Sequence, residues 1–203
     1  MRKVIVSAMV SIDGVMQAPG APGEDSSGGF AFGGWVAPLG DAVFGAEIAQ
    51  LLDQPYDLLL GRRTYDIFSA YWPSHQGGPH DAIARQFNKV TKYVATRKGA
   101  DLSWKPSVAL NDGESGVANL KQQDGPPLLT QGSSELAHAL LAAGLVDEIR
   151  VFAFPVLLGK GKRLFDDSSR PSSFTLSHSA VTPNGIIAAT YLRGGQVQTG
   201  NVG

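Results

Sequence analysis

The sequence predicts an α/β fold with a mostly parallel central sheet that finishes in an antiparallel C-terminal hairpin. Short apolar runs of strand type alternate with segments of helical periodicity as far as residue 143, the pattern of strand-helix crossovers that builds a parallel sheet. Three strand-type runs then follow with no helix between them, and Pro183-Asn184-Gly185 is a hairpin turn between the last two. Neither an internal repeat nor a shift of composition interrupts the chain, so residues 1–193 are expected to form one domain and 194–203 a frayed tail.

The first strand is expected at 3–10, rich in β-branched residues and closed by the turn pair Asp13-Gly14. The Gly/Pro/Ser-rich stretch 18–34 follows, either a lid or a flexible connection. Over 41–52, Phe44, Ile48, Leu51 and Leu52 share one helical face and Asp41 can cap the first turn. Leu58-Leu59-Leu60 is a buried strand, Gly61 a tight connection, and Arg62 to Tyr71 a helix stopped before Pro73. A helix near 80–88, strands at 90–96 and 108–110, and a helix at 114–123 continue the alternation. Leu128-Leu129-Thr130 is a further strand, after which Ser133 or Ser134 can cap the helix 135–143 and Gly144 ends it. The closing strands are expected at 149–154, 174–181 and 186–192.

Composition narrows the function. With 203 residues, 43% of them hydrophobic, the chain can bury one core. Seventeen basic against eighteen acidic residues give a net charge of −1, without the basic excess that nucleic-acid binding demands. There is no cysteine, so redox chemistry must come from a bound cofactor and a reducing compartment is permitted. Met1-Arg2-Lys3 before an apolar run superficially resembles a signal peptide, but the run is short and β-branched. No stretch approaches the ~20 apolar residues of a spanning helix, and a cytoplasmic location is expected.

Gly61-Arg62-Arg63-Thr64 brings a glycine, two guanidinium groups and a hydroxyl from a buried strand to a helix start. Such a terminus favours an anion, and arginine adds charge-assisted hydrogen bonds, although the same arginines could be ordinary solvated charges. Gly132-Ser133-Ser134-Glu135 repeats the arrangement after another strand, where plain capping would also account for the serines. Thr96-Arg97-Lys98 falls at a third strand end on the same edge, and ligands of open α/β sheets bind there. An elongated, phosphate-bearing dinucleotide fits three such strand ends. No Gly-x-Gly-x-x-Gly follows a strand, no Walker sequence is present, and Leu136 breaks a Gly-x-Ser-x-Gly elbow. His75, His80, His138 and His178 lack metal-ligand spacing, so no metal is expected. Asp13 after the first strand and Glu47 on the first helix are the candidate acids.

The chain resembles the dihydrofolate reductase superfamily, in the branch similar to the C-terminal reductase domain of bifunctional riboflavin-biosynthesis deaminase-reductases. The resemblance rests on residues 6–14, 60–65, 131–136 and 144–165, in family order, and covers about 2–193. It implies a three-layer α/β/α fold and an NADP(H) cofactor. It places Gly61, Arg62, Arg63 and Thr64 on the cofactor's phosphates, Thr96 and Arg97 near its 2′-phosphate, and Gly132, Ser133, Ser134 and Glu135 on the pyrophosphate. Gly159, Lys160 and Gly161 would border the substrate mouth, with Trp35 and Phe32 lining the lid. The implied reaction is hydride transfer from NADPH to a small heterocyclic or carbonyl substrate, nearer to 5-amino-6-(5-phosphoribosylamino)uracil reduction than to folate reduction. Asp13 and then Glu47 are the expected proton donors. The alternatives are a non-catalytic NADP(H)-binding or nucleotide-binding protein and an α/β interaction module. A homodimer is expected, with Phe152, Phe154 and Phe174 offering apolar strand surface.

Overall fold

The computed structural model describes residues 1–75, 77–78, 80–96 and 100–203. Eight strands form one sheet: β1 (Val4–Ser11), β2 (Asp57–Gly61), β3 (Lys92–Ala95), β4 (Ser107–Leu110), β5 (Leu128–Gln131), β6 (Glu148–Phe154), β7 (Phe174–Val181) and β8 (Ile187–Arg193). Their order is β4-β3-β2-β5-β1-β6-β8-β7. Pairing is parallel from β4 to β6 and antiparallel where β8 joins β6 and β7. The helices are α1 (Ala42–Leu52), α2 (Arg62–Tyr71), α3 (Asp81–Lys89), α4 (Gly113–Lys121) and α5 (Ser134–Ala142). Element bounds differ from the sequence expectation by one or two residues at most ends, the scatter inherent in frayed termini.

Alternation along the strands divides the core between the two faces of the sheet. Leu58 and Leu60 of β2 and Ile5 of β1 face a cluster completed by Ile48, Leu51, Leu52 and Phe87 of α1 and α3. Leu59, with Val4 and Val6, faces the opposite cluster, built from Val117, Leu120, Leu136, Ala137 and Leu140 of α4 and α5. The result is the expected α/β/α layering, which brings the carboxyl ends of β1 through β6 to one edge.

The caps follow local chemistry. Asp41 accepts a hydrogen bond from Phe44 N–H at 2.8 Å and caps α1 as expected. Gly144 at φ +66° ends α5, with its own N–H on Leu141 O and that of Leu145 on Leu140 O. Gly185, at φ +81°, closes the β7–β8 turn on Thr182 O at 2.9 Å. The tail differs at its start, since Gly194 N–H donates to Ser173 O and Gly195 O accepts from Ser173 N–H. A second difference concerns the proposed pairing surface. Phe152 and Phe154 are buried against Phe44, so the apolar exposure near the β7 edge comes from Leu176, Val181 and Ile187. Among the described residues no helix is long and apolar enough to cross a membrane.

Candidate active site

β2 runs directly into α2 at Gly61, and β5 runs into α5 through Gly132 and Ser133. Both turn residues have positive φ, +72° for Gly132 and +57° for Ser133, a conformation that costs a side-chain-bearing residue about 1–3 kcal/mol. Ser133 occupies the N-cap position of α5 but its hydroxyl does not cap that helix. It accepts instead from Gly61 N–H at 3.0 Å. This corrects the capping expectation and explains the turn, because the left-handed backbone swings Ser133 across to the neighbouring strand end. The two loops are thereby stapled, and the positive ends of two helix dipoles meet at one cleft. Neither α2 nor α5 has a side-chain cap, which leaves their first-turn N–H groups available to an anion.

The arginines divide. Arg62 turns back along α2, its Nε 2.8 and 3.0 Å from the two Asp66 carboxylate oxygens and its Nη1 on Asp101 O. Arg63 crosses the cleft and donates to Ser27 Oγ at 2.8 Å, with Asp25 Oδ1 at 3.3 Å. Thr64, Gly132, Ser133, Ser134 and Glu135 all line the cleft, and Thr96 lines it from the end of β3. Arg97 lies outside the described residues.

The stretch 18–34 is stitched down by its few polar groups. Asp25 accepts from Lys162 Nζ at 2.5 Å and from Ser27 N–H at 3.0 Å. Burial alone would raise the Asp25 carboxyl, but the Lys162 ammonium and the Ser27 hydroxyl and N–H outweigh it and hold its pKa at about 2. Gln17 spans the same seam, donating to Asp25 O and Ser27 O and accepting from Lys162 N–H. Trp35 is buried edge-on against Phe154, its indole N–H on Gln17 O at 2.9 Å, so it anchors the loop and does not line the cleft. Phe32 is exposed, edge-on to Phe30.

Gly159, Lys160 and Gly161 stay behind that loop, and none of them lines the cleft. Gly161 adopts φ +141°, and a Cβ there would lie 2.5 Å from Val15 Cγ1 and 3.0 Å from Phe30 Cε2. Asp13 belongs to the same seam. Its carboxylate accepts from Ser11 Oγ at 2.6 Å, Leu158 N–H at 3.2 Å and Gly159 N–H at 2.9 Å, with Arg163 alongside. The Ser11 hydroxyl, opposed by burial and reinforced by the two N–H groups, holds the Asp13 pKa at about 2. Asp13 therefore ties the first strand's loop to the 158–163 segment and carries no proton near neutral pH. Glu47 points to the other side of α1, onto His178 Nε2 at 3.0 Å, again outside the cleft.

A continuous cleft of about 2080 Å³ joins the stapled loops to an apolar half lined by Met9, Met16, Val36, Phe44 and Ile48. Glu24 lines it too, its Oε2 accepting from Gly20 N–H at 2.7 Å and Ala21 N–H at 3.2 Å. Burial raises the Glu24 pKa above the ordinary carboxylate value, against the two N–H groups that lower it. A dinucleotide fits this donor set: phosphates can meet two helix N-termini, Arg63, Thr64 and Ser134, while a ring can reach the apolar half. Glu24, Asp25 and Lys162 are site residues that the motif reading missed. The available signal was that Glu24 and Asp25 are the only charged residues in 18–34. Among the described residues no group of three or more His, Asp or Glu could hold a metal ion.

Comparison with known proteins identifies the family and the fold. The model of the RibD C-terminal domain matches residues 2–188. The uncharacterized protein YyaP of Bacillus subtilis (strain 168) is 25% identical over 192 residues, covering 94% of each chain. A putative riboflavin biosynthesis protein from Shewanella sp. PV-4 superposes with a TM-score of 0.63 at 20% identity, over 95% of this chain and 99% of that one. A pyrimidine reductase-like protein from Corynebacterium diphtheriae gives 0.59 at 14% identity, over 95% and 92%. Dihydrofolate reductase from Enterococcus faecalis, complexed with NADP(H) and RAB-propyl, gives 0.55 at 14%, over 94% and 96%.

Proposed function

This chain belongs to the RibD C-terminal domain family, and on that premise we propose that it is an NADPH-dependent reductase acting on a small heterocyclic or carbonyl substrate. The observation that carries the reading is the Ser133–Gly61 hydrogen bond, which holds two uncapped helix N-termini at the head of one long cleft. NADPH, when bound, supplies the hydride from C4 of its dihydronicotinamide; the acceptor carbon takes that hydride, its oxygen or nitrogen takes a proton, and NADP+ is left.

The chain's own residues bind, orient and supply the proton. First-turn N–H groups of α2 and α5, with Arg63, Thr64, Ser134 and Gly132, would hold the phosphates, and Thr96, at the end of β3, would lie on the 2′-phosphate side. Glu135 adds a negative charge that favours the α5 terminus in the free protein. The stitched loop 18–34 roofs the apolar half and excludes water from it. Glu24 is the proton donor of this scheme: it lines the cleft, and burial there outweighs the two N–H groups that lower its pKa, whereas at Asp25 the Lys162 ammonium and Ser27 outweigh burial. The alternative of a nucleotide-binding protein without turnover draws on Asp13 and Glu47 lying outside the cleft, and Glu24 speaks against it.

The test is anaerobic incubation with NADPH deuterated at C4 and a panel of pyrimidine, ketone and imine acceptors, whose reduced carbon retains the label, read by mass spectrometry. Deuterium in a product supports the reading. NADPH binding with no label in any acceptor favours the nucleotide-binding alternative.

A further inference from the structure

The cleft continues past the ring-sized apolar half into a groove between α1 and the α2–α3 pair. Leu52, Phe68, Trp72, Ile83 and Phe87 line it, with the exposed Ala49 at its rim. Phe68, Trp72 and Ile83 are only partly covered by the core they pack on, so an apolar strip stays open along the groove.

Charge along the cleft is divided. Arg62 and Arg63 sit at the phosphate end, and the lysine lining the cleft, Lys162, is neutralised by Asp25 at 2.5 Å. Along the ring-sized half and the groove the titratable lining groups among the described residues are the carboxyls of Glu24, Asp41 and Asp53 and the imidazole of His80, beside Trp72. A phosphate there would find no unpaired lysine or arginine among the described residues and would meet three carboxyl groups, and a buried charge without a firm partner is strongly disfavoured.

Resting on the reductase reading, we propose that the substrate is an uncharged, non-phosphorylated planar carbonyl or imine bearing an apolar substituent, its ring against Met9 and Phe44 and its substituent along the α1/α2–α3 groove. This departs from the phosphoribosyl compounds that the riboflavin-pathway resemblance brings to mind. Specificity then comes from burial of the substituent, with a gain for every methylene that enters the groove.

The test uses the full chain saturated with NADP+ and titrated calorimetrically with naphthoquinones whose side chain grows from methyl to hexyl, and with uridine 5′-monophosphate. The expected result is affinity rising roughly three- to fourfold per added methylene, no binding of the nucleotide, and loss of the length dependence in Ala49→Glu. That variant changes an exposed helix position, and its unfolding midpoint checks that the fold is intact. Affinity independent of chain length, binding of no quinone up to its solubility, or tighter binding of the nucleotide overturns the proposal. Repeating the series without NADP+ separates the two readings: failure of NADP+ to bind removes the reductase reading, while the length dependence still decides the groove.

Discussion

Asp25 shares its carboxylate between Lys162 and Arg63, so a residue of the loop competes with any phosphate for the guanidinium that crosses the cleft. Asp25→Asn is expected to tighten NADP+ about three- to tenfold, by releasing Arg63 and removing a repulsive charge, as calorimetry will show. The same carboxylate sets an acid limit. Its folded pKa of about 2 lies below the ordinary 3.8, so the folded state binds fewer protons than the unfolded one. The stabilisation is complete above the ordinary value and is lost as pH falls toward 2, at most about 2 kcal/mol for this group. Thermal midpoints measured from pH 5 to pH 2 should fall less steeply in Asp25→Asn than in the parent. Glu24 has the opposite shift, upward, and stays protonated to higher pH than an ordinary glutamate. Turnover limited by its proton should fall as pH rises through that pKa, and Glu24→Gln should abolish this limb of the kcat profile while leaving NADP+ affinity within about twofold.

Between the 158–163 segment and the 18–34 loop, the close approach is made possible by Gly161. Its φ of +141° and the 2.5 Å separation of a would-be Cβ from Val15 predict that Gly161→Ala costs about 2–4 kcal/mol, measurable by denaturant unfolding. Strands and helices were legible in the sequence because their periodicity is local; the Leu58–Leu60 run and the Phe44/Ile48/Leu51/Leu52 face need only neighbours to be read. Gly61-Arg62-Arg63 and Gly132-Ser133 were legible for the same reason, each being a strand end beside a helix start. The seam was not legible, since Asp25 meets Lys162 and Asp13 meets Gly159 across more than 130 positions. Asp13 read as an acid because its residue type allows it; only the bonds from Ser11, Leu158 and Gly159 show that the carboxylate is a fastener. Trp35 read as a lid residue, and its inward turn onto Phe154 is equally a tertiary fact.

The sheet's β7 edge leaves Leu176, Val181 and Ile187 at 52%, 70% and 49% exposure, a surface that isolated chains seldom keep open. On that ground a homodimer through this end is proposed: sedimentation should give twice 21.4 kDa, and Val181→Lys should return the mass to one chain. A parent that sediments as a single chain at micromolar concentration contradicts it. No residue of β7 or β8 lines the cleft, so pairing along the β7 edge does not bury its lining. The central claim is the stapled double N-terminus as a dinucleotide cradle, and its most direct test is calorimetric titration of the parent and Arg63→Ala with NADPH and NADH. The account predicts micromolar NADPH affinity, much weaker NADH affinity, and at least a tenfold loss for NADPH in the variant; absence of binding by either nucleotide would contradict it.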